Sequence, residues 1–184
     1  AREELRALIA KSPGSAPFLA QLARAERQLG DLEAARAALS AALSANPGNE
    51  FLWAMVGDLE RDAGRPGAAE SAYREAVRLS PRLASAWIAL GELLARTGRP
   101  DDELAALRSA VAAECESAAV FARLAEVELA RGELESADGH AQRATELLPQ
   151  WAAAWMVWSR IAARQGRPER AAERERRALA LAGR

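Results

Sequence analysis

This chain of 184 residues has little of what most protein chemistry is built from: one cysteine, one histidine and one tyrosine. A lone Cys115 cannot close an internal disulfide and says little about redox compartment. His140 is read as solvent-facing on a helix, well separated from Cys115 along the chain, so a cysteine–histidine catalytic pair is not expected. No cysteine–histidine cluster has the ligand spacing of a zinc site, and no glycine-rich phosphate loop is present. Neither a metal nor a cofactor is expected, and the chain reads as no enzyme.

Charge of either sign is not in surplus. The net charge is -1 with 28% charged residues, which provides no field for nucleic acid or an anionic membrane surface. Lysine is nearly missing, Lys11 being the only one. No apolar run approaches the roughly 20 residues that a membrane-spanning helix needs, and no signal-peptide pattern opens the chain. Cytoplasm is therefore the expected compartment. The sequence starts at Ala1 rather than methionine, and Ala1 to Ser15 aligns with the second half of the repeat described next. An excised domain or a processed chain is the expectation.

What the sequence does have is a period. Blocks starting at Ala16, Glu50, Ala84, Ala118 and Ala152 align every 34 residues without insertion, and glycine occupies the fifteenth place of each: Gly30, Gly64, Gly98, Gly132 and Gly166. Such a period belongs to arrays in which each unit buries its apolar face on its neighbours. Within a block the apolar spacing is helical twice, as with Trp87, Leu90, Leu93 and Leu94 and then Leu104, Leu107 and Val111. Gly-Arg-Pro at Gly64, Gly98 and Gly166 ends one helix and opens the next. Acids such as Glu33, Asp101, Asp102, Glu135 and Glu169 suit the N-terminus of the second helix. Prolines at the thirty-second place (Pro13, Pro47, Pro81, Pro149) close most units.

Small residues stand at the eighth, twentieth and twenty-seventh places, as in Gly57, Ala69 and Ala76. Large ones stand at the fourth and seventh, as in Trp53, Trp87, Trp155 and Trp158. Large beside small is how helices pack closely, so these positions are expected in the core. Three departures stand out. Cys115 replaces a unit-ending proline and Glu103 replaces an alanine, predicting a looser junction between the third and fourth units. Glu175 stands where an aromatic is expected, predicting a polar outer face on the last helix.

The pattern Trp53, Val56, Gly57, Ala69, Tyr73, Ala76 and Pro81 resembles the tetratricopeptide repeat, and Trp87, Leu90, Gly91, Leu107 and Ala110 nearly repeat it. The resemblance covers five full units (16–49, 50–83, 84–117, 118–151, 152–184) and a leading half unit (1–15), a single array over 1–184. It implies an all-α, right-handed α-solenoid of about 11 helices with a concave groove lined by the first helix of each unit. The family's geometry then places Arg24, Arg27, Met55, Asp58, Asp62, Glu92, Arg96, Arg123, Glu126, Arg160 and Arg164 in the groove. Acids would sit in its middle and arginines at its ends, which points to a segment with basic residues over Asp58, Asp62, Glu92 and Glu126. The bland alternative is a solvated face whose charges merely pair with each other.

Two binding modes of the family are missing. Lys and Asn do not stand at the places of a carboxylate clamp, and no asparagine ladder exists, since Gln21, Met55, Ala89, Arg123 and Val157 occupy its place. The expected function is a non-catalytic scaffold that takes a protein or peptide in the groove. Two alternatives remain: an accessory domain of a larger bacterial enzyme, such as a sulfotransferase, glycosyltransferase or oxygenase, and a structural module that forms homo-oligomers through its terminal helices. The Gln150–Ser159 stretch, with Trp151, Trp155 and Trp158, is the most aromatic part of the chain and a second candidate surface for a partner.

Overall fold

A computed structural model describes residues 15–183. Ten helices follow one another: α1 (Ala16–Gln28), α2 (Leu32–Ala45), α3 (Glu50–Asp62), α4 (Pro66–Leu79), α5 (Ala84–Arg96), α6 (Pro100–Ala112), α7 (Ala118–Arg131), α8 (Leu134–Leu147), α9 (Ala152–Arg164) and α10 (Pro168–Ala182). The expected half unit at 1–15 lies outside the described residues save for Ser15.

Local chemistry fixes the boundaries. The glycines at the fifteenth place all take positive φ, between 70° and 82°, a backbone region that costs other residues about 1–2 kcal/mol. The residue after each glycine then donates its N–H five residues back: Asp31 to Glu26, Arg65 to Glu60, Arg99 to Leu94, Glu133 to Glu128 and Arg167 to Ala162, at 2.9–3.0 Å. These bonds satisfy carbonyls that a helix end otherwise leaves open. Pro66, Pro100 and Pro168 begin the helices after the turns, where no N–H is needed. Asp31 caps α2 by accepting from the Ala34 N–H at 3.0 Å, and Asn49 caps α3 by accepting from Phe51 and Leu52.

Contacts divide the chain into two compact units, one ending at Leu93 and one beginning at Leu94. In the first, α1 packs on α2, α2 on α3 and α3 on α4. Leu19, Ala23, Ala35, Leu39, Ala42, Leu52 and Leu59 form its main core. The closest approach is at Gly57. A Cβ there would meet the Tyr73 ring at 2.4 Å, so α3 and α4 touch only because position 57 has no side chain. In the second unit each helix from α6 to α10 packs on the next, and the first helices α7 and α9 also touch. Ala125, Ala137, Ala141, Val157 and Ile161 fill one core cluster, and Phe121, Ala122, Ala144 and Ala154 a second.

Some expectations are corrected. The tryptophans at the fourth place are half-buried rather than core, because each indole keeps its N–H for a backbone carbonyl. Trp53 donates to Pro47, Trp87 to Pro81 and Trp155 to Pro149, at 2.8–2.9 Å. The unit-ending proline and the tryptophan six residues later thus work as a pair. Where Cys115 replaces proline, the partner is Phe121, which has no N–H to satisfy. Trp158 is also half-buried and donates to Asp138 at 2.8 Å.

The junction expected to be loose is pinned instead. Glu103 is buried and takes Arg123 at 2.6 Å, joining α6 to α7. Cys115 is buried at 2% exposure and donates its N–H to Ala110. Glu114, at φ 55°, takes the left-handed turn that glycine takes elsewhere. His140 is no bare surface residue: its Nδ1 lies 2.7 Å from a Glu128 carboxylate oxygen, and its ring stacks on Phe121. Glu175 is exposed, as expected of a water-compatible last helix.

Candidate functional site: the faces of the first helices

In the first unit, α1 and α3 bring Arg27, Asp58 and Asp62 together. Arg27 reaches Asp58 at 3.2 Å and Asp62 at 3.0 Å. Arg61 lies 3.3 Å from both acids. Asp58 also accepts the Tyr73 hydroxyl at 2.7 Å, which ties the surface carboxylate to the buried contact of α3 with α4. Burial, followed by this bond and the Asp58 charge, pushes the Tyr73 hydroxyl well above the ordinary tyrosine pKa. Burial opposes the Arg61 cation, but Tyr73, Asp58 and Asp62 outweigh it and raise its pKa. Asp58 and Asp62, two of the four acids read from the sequence as facing a basic ligand, are already bridged by arginines.

Other residues of the expected groove in this unit stand apart. Arg24 and Glu92 are exposed, on α1 and α5. Met55 is half-buried and packs against the core cluster of Leu19, Leu39, Leu52 and Leu59, so most of its surface serves the fold.

In the second unit, α7 and α9 lie side by side and flank an open cleft of about 500 Å³. Its floor is Leu129, Ala130 and Ala163, and its charged lining is Glu126, Arg160 and Arg164. Arg160 reaches Glu126 at only 3.4 Å, and Arg164 is exposed. Arg123 is held at one side by Glu103 and Glu126. Burial works against its charge, yet the two glutamates keep its pKa above the ordinary arginine value. Arg96, on α5, is exposed.

Reasoning from sequence missed the opposite face of the same helices. Glu60 is buried and held by Arg36 at 3.0 Å and Arg65 at 2.6 Å. Glu128 is fully buried between Arg108 and His140. A signal was available: glutamate recurs at the eleventh place as Glu26, Glu60 and Glu128, inside an apolar stripe where a carboxylate must be paired. Glu60 and Glu128 link one unit's second helix to its neighbour's first and serve cohesion. No group of three or more potential metal ligands occurs among the described residues, and no described helix is long and apolar enough to cross a membrane.

Helical hairpins in register, each turned by a left-handed glycine, with side-chain variety displayed on the first helices, define a helical repeat protein. The chain belongs to the tetratricopeptide repeat family: two family models of that description match residues 16–59 and 55–119, together more than half of it. No curated protein matches the sequence significantly. Among solved structures, it is similar to MamA, at 22% identity over 88% of this chain and 95% of that one, with a TM-score of 0.71. It is also similar to YrrB, described as a TPR protein with an unusual peptide-binding site, at 20% identity over 98% and 93%, TM-score 0.67. PilF of Pseudomonas aeruginosa aligns at 19% identity over 92% and 78%, TM-score 0.76. At these identities the likeness establishes the all-α tetratricopeptide solenoid fold and nothing finer.

Proposed function

We propose that this chain is a non-catalytic interaction module that holds a peptide segment on the exposed faces of its first helices. The observation that carries the reading is the open cleft between α7 and α9, an apolar floor flanked by two arginines and one glutamate. A backbone or aliphatic side chain fits such a floor, and guanidinium forks select carboxylates by paired hydrogen bonds. The family membership and the peptide-binding site in the name of YrrB support a peptide as the ligand. In the first unit a basic residue would have to replace Arg27 or Arg61 on Asp58 and Asp62. The second unit, where Arg164 is exposed and Arg160 only loosely paired, is the better entry point, and for an acidic residue.

A random peptide array probed with the labelled chain tests this. The expected result is a set of peptides enriched in Asp or Glu beside an apolar residue, lost with Arg160→Glu and Arg164→Glu together. A selected set unaffected by that double change refutes the site.

A further inference from the structure

A second groove lies on the other side of α9, and its chemistry is unlike that of the corresponding places in the first unit. Between α9 and α10 an open groove of about 730 Å³ runs over Trp155 and Trp158. The wall is α10, which contributes Arg170, Arg174, Arg176 and Arg177 against a single Glu173. The equivalent groove of α3 and α4, about 640 Å³, is walled by Ala68, Ser71, Ala72 and Glu75. In α4 the places of Arg170, Arg174, Arg176 and Arg177 hold Ala68, Ala72, Arg74 and Glu75, so at three of the four the fold does not demand arginine.

The two indoles lie 5.5 Å apart. The Arg174 guanidinium lies 3.6 Å over the Trp158 ring and donates to the Trp158 carbonyl and to Asp138. Burial lowers its pKa despite the opposing pull of Asp138, and Arg170 and Arg167 add smaller effects in the same direction as burial. The Arg177 guanidinium stands 5.9 Å over the Trp155 ring. Both rings thus already carry a cation, and both indole N–H groups are spent on Pro149 and Asp138. Arg170, Arg176 and Arg177 are exposed, and although the Arg176 Nε donates to the Ala172 carbonyl, the remaining guanidinium N–H groups can take carboxylates.

We propose that the α9–α10 groove binds an acidic peptide segment, with carboxylates on Arg170, Arg176 and Arg177 and aliphatic side chains on the edges of Trp155 and Trp158. This surface is separate from the α7–α9 face, so either can fail without the other.

The test is fluorescence anisotropy of a labelled peptide of alternating glutamate and leucine, titrated with the full chain carrying Arg160→Glu and Arg164→Glu, which removes the α7–α9 face from the readout. Saturable binding is expected, weakened about tenfold or more by Arg170→Glu with Arg177→Glu and unchanged by Arg78→Glu, a remote reversal of equal sign. Replacing each glutamate of the peptide by glutamine abolishes the binding. Circular dichroism confirms that the exposed reversals keep the helices. The proposal is overturned if the peptide does not saturate, if the glutamine peptide binds equally, or if the double reversal changes nothing. Tighter binding of a single-stranded oligonucleotide, lost in the same double variant, overturns it in favour of nucleic acid.

Discussion

Replacing Gly57 by alanine separates packing from propensity. In a helix interior, glycine to alanine ordinarily stabilises by about 0.5–1 kcal/mol, because the chain loses less entropy on folding. At position 57 the new methyl would lie 2.4, 2.5 and 2.9 Å from three ring carbons of Tyr73. That ring cannot swing aside cheaply. It is fully buried, and its hydroxyl is bonded to Asp58. Inserting one carbon into a tight core costs about 1–3 kcal/mol. Freeing the hydroxyl forfeits a bond to a charged group worth about 1.5–3 kcal/mol. Set against the propensity gain, the net expectation is a loss of roughly 1.5–5.5 kcal/mol. Gly139 is the control, a mid-helix glycine of α8 with nothing within 4 Å of its would-be Cβ, where alanine should stabilise by about 0.5–1 kcal/mol. Urea unfolding followed by far-ultraviolet circular dichroism reads both. Opposite signs are expected; a Gly57→Ala that stabilises as Gly139→Ala does would refute the close contact of α3 with α4.

Other consequences concern charge and strain. Tyr73 is the only tyrosine, so absorbance reads its ionisation directly. Its pKa is raised in the folded state, so its contribution is intact below the unfolded value of about 10 and lost as pH climbs beyond it. Tyr73→Phe should remove this alkaline loss, and a native chain whose tyrosine titrates near its ordinary value would contradict it. Glu114→Gly should stabilise by up to about 1 kcal/mol by relieving the left-handed backbone at φ 55°, read as a higher urea midpoint; a lower one refutes the assignment. Arg123→Ala should cost about 2–3 kcal/mol because it leaves Glu103 buried without its charge partner. Adding Glu103→Ala should recover most of that loss in the same unfolding assay, whereas additive losses would show that the pair is not the cause.

The hairpins were legible because their punctuation is local. A glycine that must take positive φ, a proline that can only begin a helix, and small residues at fixed places act within a few positions, and the period repeats them. Charge pairing was not legible, because it depends on which side chains meet across helices. Arg27 finds Asp58 from 31 positions away and Arg36 finds Glu60 from 24, and nothing in either helix alone selects that partner. His140 looked like surface by its place in the repeat, and only the buried Glu128 beneath it says otherwise. The fourth-place tryptophans were misjudged for a related reason: size argued for burial, while the indole N–H needed the Pro47, Pro81 or Pro149 carbonyl at the unit edge. For the candidate site, residue identities could be read from the repeat, but how far each charge was already spent could not.

The central claim is that the exposed faces of the first helices carry the ligand. Backbone amide shifts of the isotope-labelled chain, recorded while an array-selected peptide is added, test it most directly. The account predicts saturable shifts clustered at Glu126, Leu129, Ala130, Arg160 and Arg164. Shifts confined to the second helices α8 and α10, with those five positions silent at saturation, would contradict it.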